Sequence, residues 1–201
     1  MAYFAALLAR YADEWQARDV DLDEVDDGVG LVEFIREVTE EEEPDTAVVL
    51  LEREDAWFAV VRLDLDEDPR VFASDLAGVK RSGYAELLTA SSLVPLGQDG
   101  RPLETTAAVL AGATEAAAEE AEAEADLDDE DAEVEVDLED EDEYPALGTP
   151  SGPAGDAALL ADFGQSAKGL VGLCDGRLTP ADALAEIAGV LGAAEELEAV
   201  R

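Results

Sequence analysis

The chain has 201 residues, of which 52 are acidic and 12 are basic, and its formal net charge is −40. We therefore do not expect the chain to bind nucleic acid or an anionic membrane surface unaided, because both kinds of binding depend on contacts between Lys or Arg and phosphate groups. The chain has no histidine and a single cysteine. This composition excludes Ser-His-Asp and Cys-His nucleophiles, His-ligated zinc and an internal disulfide.

The expected location is the cytoplasm, and no cofactor is expected. One cysteine fits a reducing compartment, the N-terminus lacks the pattern of a signal peptide, and no apolar run approaches the ~20 residues of a membrane span. Cys174 follows Val171 and Leu173, so the sequence predicts an unreactive thiol in apolar surroundings.

The first strand is predicted at Tyr3 to Leu8, where both faces of a period-2 pattern are apolar, and a more exposed strand is predicted at Trp15 to Leu22. A helix then follows, with Asp26 or Asp27 as its cap. Its apolar stripe falls at helical spacing and consists of Leu31, Phe34, Ile35 and Val38. The acids Glu40 to Glu43 are interpreted as a solvated end.

The apolar runs Ala47 to Leu51 and Trp57 to Leu63 predict a β-hairpin, and because both of its faces are apolar it belongs at the centre of a sheet. A short strand, Arg70 to Ala73, is followed by Ser74 or Asp75 as the cap of a second helix. The stripe of that helix is Leu76, Val79, Gly83, Tyr84 and Leu87. Residues 1–94 are thus predicted to be an α+β domain of order ββαβββα, a mostly antiparallel sheet with two helices on one face.

Residues 95–155 are expected to form a low-complexity linker of Ala, Glu and Asp that is largely disordered. Within it, residues 115–143 hold 18 acids and no base, so this run repels itself. The alanine content favours a single exposed helix near Ala107 to Ala123.

Residues 156–201 are expected to form a helical segment of two or three short helices. Asp156, Ser166 and Thr179 are its predicted caps, and Pro180 suits the first helical position after Thr179. A segment with so few large apolar side chains is expected to dock, either on the N-terminal domain or on a partner, and the sequence leaves both open.

Seven charged residues near the central hairpin are candidates for partner binding because core packing does not explain them. They are Arg53, Glu54, Asp55, Arg62, Asp68, Arg70 and Asp75. Arg62 lies within an apolar strand, and if it is buried it needs a carboxylate partner. No catalytic or metal-binding set is predicted.

The stretch Glu54-Asp55-Ala56-Trp57-Phe58-Ala59-Val60-Val61-Arg62, followed by Asp68-Pro69-Arg70-Val71-Phe72 and Ser74-Asp75, resembles a bacterial family of tRNA adenosine deaminase-associated proteins. The start Met1 to Arg10, the acidic middle and the tail Asp182 to Glu195 resemble it too. The resemblance implies a non-catalytic accessory protein with a protein partner, namely the deaminase beside which the family is encoded. The chain itself lacks the His-x-Glu and Pro-Cys-x-x-Cys elements of a zinc deaminase, so it is not that enzyme.

Two other functions remain open from the sequence. The acidic surface could mimic nucleic acid and guard a basic tRNA-binding face. A remoter alternative is an enzyme that uses carboxylates alone, which would need a pocket in which two acids converge.

Overall fold

The computed structural model describes residues 3–23, 25–39, 44–53, 56–64, 67–90, 92–103 and 150–201. One compact unit consists of residues 1–102 and 149–201, and a second, residues 103–148, lies almost entirely outside the described residues. The expected disorder of the linker, its helix near Ala107 to Ala123 and the acids Glu40 to Glu43 also lie outside them.

The first unit contains a six-stranded sheet in which every neighbouring pair of strands is antiparallel. The strand order is β2-β1-β3-β4-β5-β6. The strands are β1 (Tyr3–Tyr11), β2 (Glu14–Asp19), β3 (Thr46–Arg53), β4 (Trp57–Asp64), β5 (Arg70–Ala73) and β6 (Ala154–Gly155). This architecture confirms the predicted α+β class with its antiparallel sheet.

Five α-helices and one 3-10 helix are described around the sheet. They are α1 (Gly28–Val38), α2 (Leu76–Lys80), the 3-10 helix (Ala161–Phe163), α3 (Ala167–Gly172), α4 (Pro180–Leu191) and α5 (Ala194–Ala199). None of the described helices combines the length and the apolar character that crossing a bilayer requires. The longest of them, α4, has 12 residues.

The central position of the β3–β4 hairpin follows from side chains that are apolar on both faces. Its register pairs Val49 with Val61 and Leu50 with Val60, and all four residues are buried. Strand β1 pairs with β3 on the other side, so the doubly apolar strand predicted at the N-terminus also lies inside the sheet. The outermost strand next to β1 is β2, the strand expected to be exposed.

The first face of the sheet, which we define by Leu7, Val49, Leu51, Trp57 and Val61, is covered by α1, α2 and the chain that follows α2. The predicted stripe of α1 is confirmed, with two fully buried residues and two partly buried ones packed on the sheet, namely Leu31, Ile35, Phe34 and Val38. Asp27 is the cap, and its Oδ1 accepts a hydrogen bond of 2.7 Å from the backbone N–H of Gly30.

The second face, defined by Leu8, Val48, Leu50, Val60 and Phe72, is covered by the C-terminal part of the chain, residues 150–201. Its apolar side chains from α3, α4 and α5 pack directly on the strands; the largest of them are Leu170, Leu184, Ile187, Leu191 and Leu197. The sequence leaves open whether this part docks on the N-terminal domain or on a partner. In the structure it packs on the N-terminal sheet.

The prediction for the second helix was too long. Helix α2 ends at Lys80, and Gly83, assigned to its apolar stripe, is exposed. The cause is local: the Ser82 hydroxyl donates to the carbonyl of Val79 at 2.7 Å and accepts from the N–H of Tyr84 at 3.2 Å. Such bonds satisfy the backbone outside a helix, and the chain continues in turns while Leu87 still reaches the core.

The C-terminal caps behave as predicted, except that the stretch after Asp156 forms turns and a 3-10 helix rather than one α-helix. Gly164 ends it with φ at 98°. At the start of α4, the Thr179 hydroxyl accepts from the N–H of Asp182 and donates to its carboxylate at 2.8 Å. The two-residue strand β6 lies within the stretch that composition assigns to the linker, and is too short for periodicity to predict it.

Candidate functional site

Arg62 is buried on the second face of the sheet, with 7% of its surface exposed. Its Nε donates to Asp64, whose Oδ2 lies 2.7 Å away. Its two terminal nitrogens donate to the two carboxylate oxygens of Asp162, with Nη2 and Oδ2 separated by 2.9 Å, and Nη1 also donates to the carbonyl of Leu159 at 2.6 Å. The guanidinium carbon lies 4.8 Å from the ring centre of Phe163. We call these five residues the Arg62 cluster.

The charges in this cluster stabilise one another. Burial of the guanidinium opposes its charge, but the hydrogen bonds to Asp162 and Asp64 outweigh that effect and raise the pKa of Arg62 above its ordinary value. The hydrogen bond from Arg62 holds the pKa of Asp162 below its ordinary value, against a smaller opposing effect of burial. The expectation that a buried Arg62 needs a carboxylate partner is therefore confirmed, with two partners.

Arg70 lies directly opposite Arg62 in the register of β5 and β4. Like charges facing each other across a strand pair destabilise a sheet unless each is neutralised. Arg70 is neutralised separately, because its Nε donates to the Asp156 carboxylate at 2.7 Å. The two arginines thus each bind a carboxylate of the C-terminal part.

Asp75 links the same two parts of the chain. Its Oδ2 accepts from the N–H of Gly78 at 3.1 Å, which makes it the cap of α2. Its Oδ1 accepts from the N–H of Gly152 at 3.0 Å. Nearby, the N–H of Leu76 donates to the carbonyl of Gly152 at 2.8 Å.

Of the seven candidate residues, the structure thus places three against residues 152–162 of the same chain, and their described contacts serve folding. Arg53 is half-buried at the end of β3, and Asp68 is exposed in the connection between β4 and β5. Glu54 and Asp55 lie outside the described residues. Whether any of the seven binds a partner stays a prediction.

An acidic groove runs beside α1. It has a volume of about 430 Å³, and its lining comprises Asp21, Val25, Asp26, Asp27, Gly30, Glu33, Phe34 and Glu37. Five of these eight residues carry carboxylates, whereas Val25 and Phe34 give the groove an apolar floor. On the same helix, Val29 is 70% exposed. Sequence reasoning missed the groove, although the acids at i and i+4, Glu33 and Glu37, were a signal for one charged helix face.

A second cleft, of about 380 Å³, lies where the start of β4 meets the chain between α3 and α4. Trp57 and Asp75 line it from one side, and Cys174, Arg177 and Pro180 from the other. Burial, with a contribution from the charge of Asp175, raises the pKa of the Cys174 thiol to about 12, so this thiol is not a nucleophile at neutral pH.

Neither concavity groups described side chains as a set of metal ligands. Across the described ranges, no three side chains of Cys, Asp or Glu are grouped so that they could hold a metal ion together. Within the same ranges, every buried side-chain nitrogen or oxygen has a hydrogen-bond partner.

Residues 3–98 match the family model described as Rv3753c-like tRNA adenosine deaminase-associated protein. This match confirms the resemblance predicted from the hairpin and the strand after it. The match ends before the acidic stretch, so the resemblance of the tail from Asp182 to Glu195 stays a prediction. No curated protein and no solved structure matches the chain significantly.

Proposed function

We propose that this protein is a non-catalytic accessory protein that binds a protein partner, and that this partner is a tRNA adenosine deaminase. The family description supports the association, since it names proteins associated with that enzyme rather than the enzyme itself. The sequence agrees, because a chain without histidine and with one cysteine cannot build the zinc site of such a deaminase.

The observation that carries the proposal is the acidic groove beside α1. It lies within the residues that match the family model, and it combines five carboxylates with an apolar floor. An enzyme that acts on tRNA presents Lys and Arg to the phosphates of its substrate. A basic segment with one apolar side chain, taken from such a surface, is complementary to this groove in charge and in polarity.

Charge arranged in this way acts mainly on the rate of association. Opposite charges on two surfaces steer their encounter, and salt screens the attraction over roughly 8 to 10 Å. The carboxylates at the rim of the groove should therefore speed the association of the two proteins, and Val25 and Phe34 should slow their dissociation.

The test is a binding titration between the full-length protein and the purified deaminase of the same organism. The variant Glu33→Gln/Glu37→Gln removes two charges from the groove, and Glu195→Gln/Glu198→Gln removes two from the exposed surface of α5 as the matched control. We expect binding to weaken about three- to ten-fold in the first variant and to change little in the control, since exposed charge pairs contribute ~0.2 to 1 kcal/mol each. No binding by the unchanged protein would contradict the proposal, and equal losses in both variants would contradict the assignment to the groove.

A second candidate function is mimicry of nucleic acid, which the same groove and the net charge of −40 support. In that case the protein occupies the basic tRNA-binding face of its partner and competes with tRNA. Adding tRNA to the preformed complex should then displace the protein. If instead tRNA joins the complex without displacing the protein, the partner surface lies elsewhere and mimicry is wrong.

A further inference from the structure

Three polar contacts join the family-matched part of the chain, residues 3–98, to the C-terminal part, residues 150–201. In each of them a charged side chain of the first part binds a group within residues 152–162. Arg62 binds Asp162, Arg70 binds Asp156, and the carboxylate of Asp75 receives the N–H of Gly152. All three residues of the matched part lie between the second half of β4 and the cap of α2. Arg62, Arg70 and Asp75 thus all bind residues 152–162 of the same chain.

Apolar contacts surround these polar ones. Phe58, Val60 and Phe72 on the second face are buried beneath side chains that come almost entirely from residues 157–200, with Leu96 as an addition from the N-terminal side. At the sheet edge, the pairing of Phe72 with Gly155 and of Ala73 with Ala154 adds backbone hydrogen bonds. This surface has the apolar centre, partly exposed charge pairs and strand pairing of a protein–protein interface, although it lies within one chain.

The covalent connection between the two sides runs through residues 103–148, which belong to a separate unit. The described residues on either side of that connection are held by bonds of their own. The N–H of Leu96 donates to the carbonyl of Pro153 at 2.8 Å, and the N–H of Gly155 donates to the carbonyl of Val94 at 2.9 Å. The contacts that fix residues 150–201 on the sheet therefore do not depend on an uninterrupted chain.

We propose that residues 150–201 act as a bound ligand of the second face, and that they stay on the sheet when the chain is cut within residues 104–149. The ligand that this face recognises is an apolar helical segment preceded by two carboxylates six positions apart. Arg70 selects the first carboxylate, Asp156, and Arg62 selects the second, Asp162. The two arginines are opposite each other in the sheet, so loss of Asp156 takes from Arg70 the carboxylate that offsets this like charge. Loss of Asp162 leaves Arg62 with Asp64 and removes its two-point contact to the C-terminal part.

The experiment uses the full chain with a recognition sequence for a site-specific protease inserted after Ala113. The folded protein is cut, and its mass and dissociation constant are measured by size-exclusion chromatography and native mass spectrometry over a series of dilutions. We expect the two pieces to travel together at micromolar concentration, with a melting temperature that rises with concentration as mass action requires. Separation of the pieces directly after cutting would overturn the proposal.

The selectivity of the arginines is tested in the same way with charge-matched variants. Asp156→Asn/Asp162→Asn removes the two recognised carboxylates, whereas Asp175→Asn/Glu195→Gln removes two exposed charges from the same part of the chain. Both variants are cut only after circular dichroism has shown that the uncut protein is folded. We expect the dissociation constant of the cut protein to rise about 10- to 100-fold in the first variant and to stay within about three-fold in the second. Equal effects in both would overturn the recognition by Arg62 and Arg70.

Discussion

The guanidinium of Arg62 in β4 and the carboxylate of Asp162 in the 3-10 helix form a two-point ion pair across 100 positions of sequence. The arginine is buried, whereas the side chain of Asp162 is 57% exposed. The pair therefore fixes the orientation of a partly exposed turn from a rigid, buried strand. A two-point pair between a planar guanidinium and a carboxylate also defines geometry more narrowly than a lysine could.

Replacing Arg62 by methionine should destabilise the protein by about 2 to 4 kcal/mol. The loss leaves Asp64 without its arginine at a site where its side chain is only 16% exposed, and removing one partner of a buried pair typically costs ~3 to 5 kcal/mol. We place the value somewhat lower because Asp162 can regain water. Urea unfolding monitored by tryptophan fluorescence measures the change, and Arg101→Met, which breaks an exposed pair, should stay within about 0.5 kcal/mol.

The pair should also give the stability a defined dependence on pH. Arg62 lowers the folded-state pKa of Asp162 below its ordinary value of 3.8, so the unfolded chain binds this proton more readily. The stabilisation is therefore fully present above that ordinary value and is lost as the pH falls through the folded-state pKa.

Urea titrations of the wild type and of Asp162→Asn between pH 3 and pH 7 test this sign. The wild type should be the more stable protein at pH 6, and the difference should shrink as the pH falls below about 4. Asp68→Asn, which removes a charge from an exposed connection, should show a small difference throughout. If the difference in stability between the two proteins grew as the pH fell, that result would contradict the ion pair.

Gly155 in β6 should not tolerate a side chain. Its φ of +100° is strained for any residue with a Cβ, and that atom would overlap the carbonyl oxygen of Val71. We expect Gly155→Ala to cost at least about 2 kcal/mol and to loosen β6 from β5. Gly189→Ala is the control, because Gly189 lies at an exposed position of α4 with open space around it, and this change should stabilise by ~0.5 to 1 kcal/mol.

Cys174 should react slowly with thiol reagents in the folded protein. Its pKa of about 12 leaves little thiolate at pH 8, and its thiol is half-buried beside Leu170, whose carbonyl lies 3.7 Å from the sulfur. Mass spectrometry after timed iodoacetamide treatment should show labelling at least about 100-fold slower than in urea. Rapid labelling of the native protein would mean that the segment after α3 opens frequently.

The sequence predicts the fold well where a pattern is long enough to repeat. The hairpin around Val49 and Val61, the stripe of α1 and the cap at Thr179 all rest on local rules of period or capping. The length of α2 was not predicted correctly because the Ser82 hydroxyl forms hydrogen bonds with backbone groups that a longer helix would have used. Strand β6 was not predicted because a strand of two residues is too short to show an alternating pattern.

Prediction of the candidate site is limited for a different reason. The apolar surroundings of Arg62 in sequence show that it needs a partner, but one partner lies two positions away and the other lies 100 positions away. The spacing of residues in the sequence gives no information about the second partner, Asp162. The groove beside α1 likewise forms only when the turn containing Asp21 folds against the helix that carries Glu33.

The bonds that join Leu96 to Pro153 and Val94 to Gly155 hold together, at the sheet edge, the two described segments between which residues 104–149 run in the sequence. The entropy of closing a flexible loop grows only with the logarithm of its length, so each doubling of such a loop costs ~0.6 kcal/mol. We therefore expect flexible residues inserted between these two segments to change the stability of the described unit little, and a fluorescent protein could be inserted there as a reporter.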